Sequence, residues 1–250
     1  MRIVASVHIG STPVLNYYVT FFLCKKPPGL GGFFISGKAL VFPIRFRYNW
    51  RDIPIPKGAI FPMKQLLYQI DLLLARQDRV IVALDGFCTS GKTTMAARLS
   101  ERYDCRVIHM DDFFLRPEQR TPERLSEPGG NIDYERFSEE VLPALKEGLP
   151  ITYRPYDCSA RVLDQPVTLE PRKLTVVEGT YSHHPHFGSY CDLKVFLTVC
   201  PKDQHQRILQ RPAFLQKRFF EEWIPMEHQY FDHFSIPQKA DMVIDPTVSL

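Results

Sequence analysis

An apolar run that empties into a glycine-bounded loop constrains this chain more than any other feature. Arg79-Val-Ile-Val-Ala-Leu84 is followed, after Asp85, by Gly86-Phe-Cys-Thr-Ser-Gly-Lys-Thr93. A run without polar alternation predicts a strand buried on both faces, as in the middle of a parallel sheet. Beyond the loop, Met95, Leu99 and Tyr103 recur at helical spacing and predict a helix over Thr93–Tyr103. The loop therefore lies between strand and helix and fits the Walker A pattern G-x-x-x-x-G-K-[ST] without mismatch. Each residue type has a physical reason. Gly86 and Gly91 allow backbone conformations that turn several N–H groups toward phosphate oxygens. The helix start adds the positive end of its dipole. Lys92 can neutralise β- and γ-phosphates, and the Thr93 hydroxyl is a hard ligand for Mg²⁺. Gly86, Thr89, Ser90, Gly91, Lys92, Thr93 and Thr94 are thus expected to bind ATP.

The remaining pattern extends this start into a fold class. Met63, Leu66, Leu67, Ile70 and Leu74 predict an amphipathic helix, and Arg106–Met110, Leu174–Val177, Leu193–Val199 and Met242–Ile244 predict further strands. Helical patterns through Tyr134, Phe137, Val141 and Leu145, and from Gln204 to Trp223, separate several of them. Strands alternating with helices imply a doubly wound α/β architecture with a parallel sheet, a P-loop nucleoside triphosphate hydrolase resembling nucleoside monophosphate kinases. Leu115–Asn131, rich in Pro, Glu, Arg and Gly, predicts a long lid or binding loop.

Charge divides the chain at about Met63. Residues 1–62 sum to +7, with Asp52 their one acid, and the remaining 188 residues sum to −4. Seven prolines, six glycines and no sustained period of 2 or 3.6 accompany that basic excess. Residues 1–62 have no assignable fold and are expected to be a spurious reading frame or a dispensable leader, translation starting at Met63, with residues 63–250 forming the P-loop domain. The competing expectation is that a segment such as Ala39–Arg47 adds an edge strand. A net charge of +3 does not argue for nucleic acid. No apolar run approaches the ~20 residues of a membrane span. Six scattered cysteines without CxxC spacing suggest free thiols in the cytoplasm rather than a disulfide framework.

A P-loop serves many classes, and acids elsewhere in the chain narrow them. There is no NKxD sequence for guanine, and Leu125–Gly130 places proline where a transporter signature does not allow it. His109-Met-Asp-Asp-Phe-Phe114 puts two carboxylates at the end of one predicted strand, and Val176-Val-Glu-Gly-Thr-Tyr181 puts Glu178 at the end of another. Ligands bind at that edge of an open parallel sheet. Lys92, Asp111 and Glu178 would then converge, a carboxylate accepting the proton of a hydroxyl while Lys92 and Mg²⁺ absorb phosphoryl charge. The expected activity is an ATP-dependent transfer to an alcohol group. A P-loop protein that binds ATP without transferring it, or a kinase for a non-nucleoside alcohol, are the alternatives.

From about Arg79 to Asp245 the sequence resembles the uridine kinase–phosphoribulokinase family, which includes nicotinamide riboside kinases. GFCTSGKTT (86–94), MDDFF (110–114), NIDYERF (131–137), PYD (155–157), VEGTY (177–181), an Arg-rich helix (207–218) and ADMVID (240–245) carry it. The resemblance implies a nucleoside or similar small metabolite as acceptor. It implies Asp111 as catalytic base, Thr93 and Glu178 as Mg²⁺ ligands, and Arg207, Arg211 and Arg218 as lid arginines over the phosphates. It also implies Asp133, Tyr156, Asp157 and Tyr181 as acceptor-side residues, although Asp133 equally suits an N-cap of the next helix. His183, His184 and His186 are expected in a loop near the acceptor rather than on a metal. Neither nucleic acid nor membrane is expected as a partner, and self-association stays open.

Overall fold

The computed structural model describes residues 7–9, 17–19, 60–61 and 63–246. The chain divides into Met1–Ile55 and Pro56–Leu250. In the first unit, β1 (Val7–Ile9) pairs antiparallel with β2 (Tyr17–Val19). Apart from Ile60 and Phe61, the remainder of the expected leader, Ala39–Arg47 included, lies outside the described residues.

The second unit begins with β3 (Ile60–Phe61), α1 (Met63–Leu74), β4 (Val80–Gly86), α2 (Lys92–Arg102) and β5 (Cys105–His109). After two short 3₁₀ turns come α3 (Pro122–Ser126), α4 (Tyr134–Glu140) and α5 (Leu142–Glu147). Four short strands follow, β6 (Ile151–Tyr153), β7 (Tyr156–Asp157), β8 (Val162–Leu163) and β9 (Val167–Leu169). The chain then forms β10 (Leu174–Glu178), β11 (Leu193–Leu197), α6 (Pro201–Leu209), α7 (Ala213–Arg218), α8 (Ile224–Phe234), α9 (Ile236–Lys239) and β12 (Met242–Ile244).

Six of these strands form one parallel sheet in the order β3-β12-β11-β4-β10-β5. From central β4 the chain runs outward to β5, returns to β10, then crosses β4 to β11 and β12. This is the expected doubly wound α/β topology. Every residue of β10 is buried, and β4 is buried except at Ile81, as a two-sided strand requires. Under the sheet, Phe113, Phe137, Tyr153, Phe187 and Phe196 join one continuous core with Ile108, Val177 and Phe231.

Two expected helices are interrupted by proline. Pro143 cannot donate to residue 139 and crowds its carbonyl, so the predicted helix through Tyr134 and Leu145 becomes α4 and α5. Pro212 likewise separates α6 from α7, and the stretch predicted as Gln204–Trp223 continues through a π-helical turn at Phe219–Trp223 into α8. The 115–131 segment is not a free lid. Arg124 reaches Glu135 at 2.7 Å, Gly130 O at 3.0 Å and Ile132 O at 3.0 Å, and lies 3.7 Å from the Tyr134 ring centroid.

The sheet also starts before Met63, because Ile60 and Phe61 align with Val243 and Ile244 of β12. Chains truncated to 56–250 and to 63–250 should both fold cooperatively, and the first should melt higher because it keeps β3 on β12. Equal melting temperatures would show that this edge strand contributes nothing.

Candidate active site

The loop after β4 is shaped by close packing on β11. A Cβ on Gly86, at φ +142°, would stand 2.1 Å from Leu197 O, so no larger residue fits without moving the strand. Gly91, at φ +97°, turns the chain directly into α2. Between them Thr89 adopts φ +57°, a left-handed conformation uncommon outside glycine and frequent at functional loops. The first amides of α2 have no preceding turn to accept them and remain available for an anion. The buried hydroxyls Thr89 Oγ1 and Ser90 Oγ have no hydrogen-bond partner. Lys92 Nζ bends back to donate to Gly86 O at 2.8 Å and Phe87 O at 2.9 Å. Unsatisfied hydroxyls, free amides and a buried ammonium held only by carbonyls make a cradle that fits a polyphosphate.

Acids arrive from the neighbouring strands. Register places Glu178 of β10 beside Leu84 of β4 and His109 of β5. Its Oε1 is 2.6 Å from His109 Nδ1, and Thr93 Oγ1 donates to its two oxygens at 3.2 and 3.4 Å. That hydrogen bond with Glu178 raises the His109 pKa. Thr93 and Glu178 supply adjacent hard oxygens, the donor set Mg²⁺ takes when nucleotide phosphates complete its shell. Among the described residues no cluster of three His, Cys, Asp or Glu could hold a metal by itself.

Asp111 opens onto the same cleft, which has a volume of about 1180 Å³. Enclosure by protein on its other sides raises its pKa, Lys92 pulls it down, and Glu178 raises it again. Asp112 points elsewhere, its Oδ2 accepting from Tyr153 OH at 2.8 Å and its carbonyl from Arg136. On the α6 side, Arg207 Nη1 donates to Thr89 O at 2.7 Å, and Arg211 and Arg218 also line the cleft.

The expected acceptor-side residues separate. Tyr156 and Tyr181 line the cleft, Tyr181 at φ +80°. Asp133 does not line it. One of its oxygens caps α4 by accepting from Arg136 N at 3.0 Å, and the other accepts from Gln119 Nε2 at 2.8 Å. Nor does Asp157, whose Oδ1 takes the amides of Ser159 at 2.7 Å and Ala160 at 3.0 Å, closing the β7–β8 turn. The three histidines also lie outside the lining. His183 is bonded to Ala83 O at 3.1 Å, and His184 stacks against Tyr134 and Tyr230.

Two buried acids near the loop stand out only in the structure. Asp85 accepts from Gly86 N at 2.7 Å, His183 N at 2.9 Å, Tyr230 OH at 2.9 Å and Tyr181 N at 3.2 Å. Its position, a lone acid ending an apolar strand just before the motif, was the clue available. Glu227 of α8 accepts from Cys88 N at 3.0 Å and from Thr180 Oγ1 at 3.4 Å. Nothing in the pattern of α8 distinguishes it.

Fold and edge geometry together define an α/β P-loop nucleotide-binding fold. No protein-family profile matches the sequence, and no curated protein matches it. Solved structures do. One from Bacillus stearothermophilus, described as a "Possible Uridine Kinase", shares 23% identity at a TM-score of 0.57, over 73% of this chain and 98% of its own. A D-glycerate 3-kinase from Cryptococcus neoformans shares 14% at a TM-score of 0.46, over 66% and 85%. A shikimate kinase from Bacteroides thetaiotaomicron shares 18% at 0.37, over 68% and 88%. The first of these establishes the fold.

Burial pushes the Glu227 carboxyl from an ordinary 4.5 up to about 7, against Lys92 and the Cys88 amide, which lower it. Between those values the folded chain holds a proton that the unfolded chain has lost, so this group's contribution to stability falls as pH rises from about 4.5 to about 7. Glu227→Gln should remove that part of the slope. In urea denaturation the variant should gain on the wild type at pH 8 relative to pH 4. A difference that is the same at both pH values would contradict the assignment.

Proposed function

We propose that the protein transfers the γ-phosphoryl group of ATP to a hydroxyl of a nucleoside or similar small metabolite. The observation carrying this reading is the convergence of Lys92, Thr93, Asp111 and Glu178, from three parallel strands and their loops, on one edge of the sheet. The P-loop amides and Lys92 bind the β- and γ-phosphates, Lys92 exchanging its carbonyl partners for phosphate oxygens. Thr93 and Glu178 would hold Mg²⁺, which neutralises phosphate charge when bound. Asp111 orients the acceptor hydroxyl and takes its proton. Arg207 and Arg211 bring planar guanidinium donors to the phosphates and help exclude water. The structural neighbour described as a "Possible Uridine Kinase" agrees with this chemistry. Among the described residues no helix is long and apolar enough to cross a membrane. Cys88, Cys105, Cys158, Cys191 and Cys200 are free thiols, which supports a cytoplasmic location.

The reading is tested by acceptor-dependent ADP release. Lys92→Ala should keep the fold and abolish turnover. Asp111→Asn should lower kcat about 10²–10⁴-fold while ATP binding persists. Asp112→Asn should do far less, because its carboxylate faces Tyr153. Near-normal kcat in Lys92→Ala, or damage from Asp112→Asn alone, would overturn the proposed roles.

A further inference from the structure

Release of Lys92 to a nucleotide would affect its two carbonyl partners unequally. Phe87 O keeps the Ser90 amide, which donates to it at 3.1 Å. Among the described residues Gly86 O keeps one other donor, Thr180 Oγ1 at 3.1 Å. That hydroxyl has a second claimant, because Glu227 Oε1 lies 3.4 Å from it. A threonine hydroxyl carries one hydrogen and cannot fully serve a carbonyl and a carboxylate together. Beside an ionised Glu227 the hydrogen is shared, and Gly86 O depends on Lys92 Nζ at 2.8 Å. Beside a protonated Glu227 the conflict disappears. The carboxyl donates to Thr180 Oγ1, and Thr180 donates to Gly86 O.

Glu227 is buried in the first turn of α8 yet lines the cleft, and its Oε2 accepts from Cys88 N at 3.0 Å. Its hydrogen-bond partners, the Cys88 amide and the Thr180 hydroxyl, are both neutral. Titratable groups face it from each element packed there. Cys88 lies on the loop, and Lys92 of α2 is linked to it through Gly86 O and Thr180. Asp85 of β4 takes Gly86 N at 2.7 Å and Tyr230 OH, one turn further along α8, at 2.9 Å. Tyr181, next to Thr180, gives its amide to Asp85 at 3.2 Å. Burial raises the Glu227 carboxyl, Lys92 lowers it and Asp85 raises it again, leaving it at about 7. Lys92 is the one cation in this set. A triphosphate on the loop adds negative charge and draws Lys92 away, and both changes favour the protonated acid.

We infer that Glu227 is a positioning residue that takes up a proton from solvent as the triphosphate enters, so that Thr180 commits to Gly86 O while Lys92 turns to the phosphates. This inference rests on the ATP-binding reading of the loop and couples that binding to a proton. Calorimetric titration with MgATP, without acceptor, in two pH 8 buffers of different ionisation enthalpy counts the proton. The wild type should take up a sizeable fraction of one proton per nucleotide. Its Kd should rise about fivefold or more from pH 7 to pH 9, the effect of a pKa raised by about one unit on binding. Glu227→Gln keeps an acceptor for Cys88 N and offers Thr180 an N–H, standing in for the protonated acid. It should take up no proton and hold a nearly constant Kd over that range. Thr180→Val keeps the carboxyl but breaks the relay, and should weaken MgATP binding roughly tenfold at pH 7, because Gly86 O is left without a donor when Lys92 departs. Equal uptake in wild type and Glu227→Gln overturns the inference, as does unchanged affinity in Thr180→Val. The wild-type count stands alone if Glu227→Gln does not fold: MgATP bound without proton uptake overturns the inference and leaves nucleotide binding standing. Folded wild type that does not bind MgATP overturns the inference and the ATP-binding reading together.

Discussion

The site depends on one buried carboxylate, Asp85, which is wholly removed from solvent. It gathers the amides of Gly86, Tyr181 and His183 and the hydroxyl of Tyr230. Those donors belong to the P-loop, the chain leaving β10, and α8. A single acceptor group thus sets the spacing between the phosphate cradle, Glu178 two residues before Thr180, and the helix bearing Glu227. Each donor left unsatisfied in this interior would cost about 1–3 kcal/mol, so the arrangement behaves as a unit. Close packing enforces the same geometry from the other side, where Gly86 meets Leu197 O with no room for a Cβ.

Around this anchor the cleft is electrostatically unfinished without an anion. Lys92 satisfies itself on loop carbonyls, and Glu227 holds the Cys88 amide and raises its own pKa through burial. Two buried hydroxyls of the loop have no partner. Glu178 balances His109 while keeping its oxygens beside Thr93. A triphosphate would satisfy the hydroxyls and attract Lys92.

Much of this was legible in the residues because parallel strands write their burial directly. Arg79–Leu84, Leu174–Val177 and Leu193–Val199 read as apolar runs and lie side by side in the sheet. Walker A spacing located the cradle, but nothing in the sequence separates Asp111 from Asp112, whose Oδ2 accepts from Tyr153. Local stops were legible too, Pro143 and Pro212 each dividing a helix that periodicity alone would continue. Side-chain commitments were not legible. Asp133 and Asp157 carry the right chemistry for a diol, and only the fold shows their oxygens already bonded to Gln119 and to turn amides. Asp85 and Glu227 owe their importance to contacts across 96 and 139 residues of chain, which no local pattern records.

The central claim is that this cleft moves a phosphoryl group from ATP to an alcohol rather than to water. ³¹P NMR of the protein with MgATP and candidate alcohols reads that outcome directly. The account predicts a new phosphomonoester resonance growing in step with ADP, with little inorganic phosphate. ATP loss that yields inorganic phosphate alone, or ATP that binds and stays intact beside every acceptor, would contradict it.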